Sequence, residues 1–169
     1  MSILKKVTLA AAIVVTSTTV NAQNFRIPDK YSFETADGYH KYDKDIIKCV
    51  NWMEKTPPGV EDEKVQHAGR FLLEWLSGAP YMRFNSNVRI DAFLGDSPEY
   101  RIYYMAGWAR AALQAGAAKP DKLSCSYAGI KTVIKVYKEA KHGKKDANIE
   151  ELIKLDEQNK LKDWVQERV

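Results

Sequence analysis

The chain is short of the residue types from which recognisable sites are built. It has two cysteines and three histidines among 169 residues. Two cysteines exclude a disulfide-dense miniprotein. Neither has a CxxC partner or a histidine nearby in sequence, which argues against a catalytic thiol. No Gly-rich phosphate loop occurs, no cofactor motif is present and no strand-rich stretch competes with the helical ones. The formal charge of +4 is too small to indicate nucleic acid by itself. What remains is a chain 45% hydrophobic and 28% charged, enough for one domain with a real core.

The longest apolar run lies at the start. Lys5 and Lys6 precede Val7 to Val15, and Val20-Asn21-Ala22 closes the segment with small residues. That order predicts a secretory signal peptide over residues 1–22, cleaved after Ala22, and the run is too short to span a bilayer. The mature chain would begin at Gln23 with a net charge of +2 and be periplasmic or secreted, with no membrane span.

Residues 23–41 carry Pro28 and Gly38 without a sustained period and read as an irregular arm. From residue 42 to 169 the periodicity predicts a single all-α domain, an irregular bundle of five to six helices in stacked antiparallel pairs. Tyr42, Ile46, Cys49, Val50 and Met53 share one helical face, and Pro57-Pro58 stops it. Val65, Ala68, Phe71, Leu72, Trp75 and Leu76 form the arc of a second helix, closed by Gly78 and Pro80. The connection from Ala79 to Asp96 is long, and its Val88-Arg89-Ile90-Asp91 alternation suggests a short extended piece. Ser97-Pro98-Glu99 reads as an N-cap hydroxyl, a first-turn proline and an acid. From Ile102 to Ala118 the only charge is Arg110, as in a buried central helix. Pro120-Asp121 opens a helix running to about Lys141, with Gly143 as its stop, and the tail reads as two short helices broken near Gln158-Asn159.

Candidate sites are few. Cys49 and Cys125 both fall on apolar faces, and two readings stand: a disulfide, or two inert buried thiols. Glu139 and His142 make a single Glu-x-x-His unit, which di-iron bundles use twice, beside Lys141 and Lys144, which repel cations. Glu63, His67, Arg70 and Glu74 read as a solvated ladder. No metal site is expected. Residues 23–100 are acidic, with a net of −3, and residues 101–169 basic, with a net of +5. Lys131, Lys135 and Lys138 form a narrow stripe, either a solvated helix face or a contact for an anionic surface. Without interleaved aromatics it does not suit nucleic acid. The best candidate binding surface is Tyr81, Arg83, Phe84 and Asn85 with Asn87 and Arg89, because long loops carry function and such residues are enriched in interfaces. Tyr104 and Trp108, with Tyr100 and Tyr103, either line an adjoining groove or fill the core.

Four stretches, Phe71-Leu72-Leu73-Glu74-Trp75 with Gly78, Met105-Ala106-Gly107-Trp108, Ala128-Gly129-Ile130-Lys131 with Tyr137, and Leu152-Ile153-Lys154-Leu155-Asp156, resemble a family of uncharacterised small exported all-helical proteins with no assigned activity. The resemblance implies an exported helical domain and supplies no cofactor or catalytic residue.

The expectation is a non-catalytic binding module of the cell envelope, with an unidentified protein or peptide as partner. Two alternatives stand beside it. One is an envelope enzyme whose acid and base groups converge only in the fold, with His40 or His67 meeting a carboxylate in a pocket. The other is attachment to an anionic surface through the lysine stripe.

Overall fold

The computed structural model describes residues 25–60, 62–84, 87–116, 120–140 and 145–169. The proposed leader, Asn85, the Gly143 stop and His142 of the Glu-x-x-His unit lie outside them.

The described residues fold into eight α-helices and one 3-10 turn, without strands. They are α1 (Ala36–His40), α2 (Asp43–Met53), α3 (Asp62–Gly78), α4 (Val88–Phe93), the turn Pro98–Tyr100, α5 (Arg101–Ala115), α6 (Lys122–Glu139), α7 (Ala147–Glu157) and α8 (Leu161–Gln166). The all-α bundle of paired helices is as the periodicity predicts, and the count rises because two short helices, α1 and α4, occupy segments read as irregular or extended. Two local readings are corrected. Val88–Phe93 is helical rather than extended, because the Asn87 side chain caps it, accepting from Arg89 N (3.0 Å) and Ile90 N (3.3 Å). Ser97 caps nothing: its hydroxyl donates instead to Asp146, the buried N-cap of α7. Asp121 does cap α6, accepting from Ser124 N at 2.8 Å. The break in the tail falls at Asn159, in the left-handed region at φ 58°, between α7 and α8.

α2 and α3 run antiparallel. The Tyr42 ring meets Phe71, the Cys49 thiol lies 3.7 Å from Ala68 O, and the Lys64 ammonium sits over the Trp52 ring at 4.5 Å. The N-terminal arm is not loose against them. Tyr31 and Phe33 join Tyr39, Tyr42 and Phe71 in one aromatic cluster, and Phe25 packs near Trp52. The Trp75 indole donates to Tyr39 O at 3.3 Å.

α5 and α6 form the most extensive pair. Glycines let their backbones meet. A Cβ on Gly129 would lie 2.6 Å from Tyr104 Cδ2 and 2.7 Å from Tyr104 O, and one on Gly107 would strike Thr132 and lie 2.8 Å from Ala128 O. Two of the stretches that carry the family resemblance therefore face each other at this crossing. Tyr103, Tyr104 and Trp108 are buried there.

Candidate functional site

Four of the side chains nominated from the sequence as a binding surface, Tyr81, Phe84, Asn87 and Arg89, are engaged within the fold. Tyr81 donates to Asp43 Oδ1 at 2.6 Å, and the His40 ring lies flat on Tyr81 with centroids 3.7 Å apart. Burial first, then the hydrogen bond to Asp43 and its charge, pushes the Tyr81 phenol well above its usual range. Phe84 packs edge-on against Trp108 at 5.1 Å and Tyr104 at 6.4 Å. Asn87 Nδ2 donates to Arg168 O (2.6 Å) and Arg89 Nη1 to Glu167 O (2.9 Å), so both hold the end of α8. Only Arg83 stands exposed without a polar partner among the described residues. These groups are structural ties. Tyr104 and Trp108 fill the core rather than line a groove.

The lysine stripe is likewise engaged. Lys131 pairs with Asp156 (2.6 Å) and Lys138 with Glu157 (3.5 Å), both at the end of α7, while Lys135 reaches Glu54 (2.7 Å). Glu54 is the centre of a buried polar knot that the sequence reading missed. Its carboxylate also takes Arg110 of α5 and the Thr132 hydroxyl of α6 (3.0 Å), and Arg110 reaches Asn51 (2.9 Å). Burial alone would raise its pKa, but the hydrogen bonds and charges of Arg110 and Lys135 outweigh that and hold it at about 2. One signal was available: a lone arginine in an apolar helix needs a buried acid.

Cys49 and Cys125 are separate free thiols, so the second of the two readings describes the structure. Cys49 faces Met53 Sδ and Ala68 O, and burial pushes the thiols to about 12 and about 11. His40 does meet a carboxylate, Asp43 Oδ2 at 3.0 Å, but its side chain is 55% exposed and the pair lies on open surface, not in a pocket. His67 stands exposed on α3 with the rest of its ladder. Among the described residues no three His, Cys, Asp or Glu side chains converge as metal ligands, and no helix is long and apolar enough to cross a membrane.

The concave surface that remains open lies between α3 and the start of α5. It is a groove of about 590 Å³ whose apolar lining includes Val65, Gly69, Leu73, Ile102 and Met105. Ile102 Cγ1 lies 3.2 Å from where a Gly69 Cβ would stand, so the absent side chain lets Ile102 of α5 pack close against α3. Arg70 and Glu74 on α3, and Glu99 and Arg101 beside them, give it a rim of both signs. Leu73 is exposed at 38%. Its signal was legible: it is the leucine of α3 that falls outside the buried arc. A smaller depression of about 550 Å³ lies by Arg89, Phe93 and Arg168, where the Arg168 guanidinium covers Trp164 at 3.9 Å.

No family model, curated protein or solved structure matches this chain.

Proposed function

We propose that the protein is an exported, non-catalytic interaction module of the cell envelope whose α3–α5 groove takes an apolar segment of another polypeptide. The groove carries this reading: apolar residues line the trough and charges of both signs stand on its rim, the layout of an interface core and its surround. Helical ligands enter such grooves through apolar anchors spaced one turn apart. Of the Tyr81–Arg89 connection, Tyr81, Phe84, Asn87 and Arg89 are taken up by Asp43, Trp108 and the end of α8, which favours the groove over it. Export is supported by Lys5-Lys6, the Val7–Val15 run and Ala22.

Selection from a random peptide display library on the immobilised protein tests the reading. Enriched peptides should carry apolar anchors, and Leu73→Asp should lower their capture about tenfold, the equivalent of one buried anchor. Because Leu73 is exposed, its melting temperature should hold. Capture insensitive to Leu73→Asp would reject the groove.

A further inference from the structure

We infer that the segment entering the α3–α5 groove is α3 of a second copy of this chain, giving a two-fold dimer; this rests on the groove reading above. Along its open face α3 presents Gln66, Arg70, Leu73, Glu74 and Ser77, all exposed. Arg70 and Glu74 stand four residues apart, where opposite charges meet on a helix, yet no ion pair joins them. Basic before acidic is the weaker order for such a pair. The Glu74 carboxylate lies near the Tyr31 phenol instead, which burial first and then that carboxylate raise above its ordinary range. Arg70 has no hydrogen-bond or ion-pair partner among the described residues.

The order that fails within one helix succeeds across a two-fold axis. An antiparallel second α3 sets Arg70 opposite Glu74 of the second copy and Glu74 opposite its Arg70, both pairs arising from one symmetry operation. A parallel copy would set like charges together. Between the two pairs, the exposed Leu73 of each copy faces the apolar trough lined by Ile102 and Met105 in the other. A uniformly acidic or basic partner helix would satisfy one rim charge and oppose the other. A second copy satisfies both.

Sedimentation equilibrium of the purified protein tests this. Wild type should show a monomer–dimer equilibrium. Glu74→Arg and Arg70→Glu should each weaken it about tenfold, as two attractive pairs become repulsive. The double reversal R70E/E74R should recover to within about threefold of wild type, since the pairs are restored with exchanged signs. Leu73→Asp should leave monomer. Arg70→Glu leaves Glu74 beside Tyr31, so it separates association from any effect on the arm. A strictly monomeric wild type, a dimer indifferent to these changes, or a double reversal no better than the single ones overturns the inference. If peptide capture still falls with Leu73→Asp in that event, the groove keeps its role with another occupant; if not, both readings fall together.

Discussion

The guanidinium of Arg110, the one charge between Ile102 and Ala118, closes on the carboxylate of Glu54 at the end of α2. Through it three helices share one buried acid, since Thr132 and Lys135 of α6 reach the same group. Removing one member of a buried pair costs more than the pair contributes, because a charge is left without its partner.

Stability should therefore depend on acid in a defined window. The folded-state pKa of Glu54, about 2, lies below its ordinary 4.5. The ionised form thus favours folding above pH 4.5, and that contribution disappears as pH falls towards 2. The shift corresponds to about 3 kcal/mol. Thermal melts from pH 6 to pH 2 should show the loss, and Glu54→Gln should be less stable at neutral pH with a flatter profile across that window.

The crossing of α5 and α6 should reject a single methyl group. Gly129→Ala places Cβ against Tyr104 O, a backbone atom that no rotamer change can move, and Gly107→Ala meets Thr132 and Ala128 O. Each should cost about 1–3 kcal/mol in urea unfolding, as overpacked cores do. Equal stability of the alanine variants would show that the helices separate freely.

Both thiols should be inert until the protein unfolds. Burial pushes Cys49 to about 12 and Cys125 to about 11, leaving almost no thiolate at neutral pH. Alkylation should be negligible in buffer and reach both cysteines in guanidinium, and a non-reducing mass should correspond to two free thiols.

Arg89 and Arg83 should behave differently although they share a connection. Arg89→Ala loses the hydrogen bond to Glu167 O and should cost about 1 kcal/mol, with faster amide exchange at the end of α8. Arg83→Ala, on an exposed side chain, should stay within about 0.5 kcal/mol of wild type.

On the export reading, protein recovered from the producing cell should begin at Gln23. Edman degradation checks this directly, and a chain beginning at Met1 would remove the leader from the proposal.

The helices were readable because apolar spacing reports burial directly: Ile46, Cys49, Val50 and Met53 lie inward as their spacing requires. Asn159 could be anticipated because two apolar faces fell out of phase around it. Side-chain destinations were another matter. Whether Ser97 caps its own turn or reaches Asp146, 49 residues away, depends on where α7 docks, which no local pattern encodes. The same holds for Lys135, read as part of a solvated stripe until Glu54 arrives from 81 residues away. Tyr81 and Arg89 have interface-like character in sequence because the demands of a binding loop and of an internal clamp call on the same residue types. Of the groove only Leu73 was legible, standing one position off the arc; that Ile102 packs beside Gly69 depends on where α5 docks.

The α5–α6 crossing also bears on how the chain reaches its native state. Gly107 meets a residue only 25 positions on, whereas the ties of Glu54 to Lys135 and of Asn87 to Arg168 each close loops of 81. Closing the shorter loop loses less chain entropy, so the two glycine-faced helices should come together first and offer a surface on which the remainder condenses. Gly129→Ala should then mainly slow refolding, while Glu54→Gln and Arg89→Ala should mainly hasten unfolding.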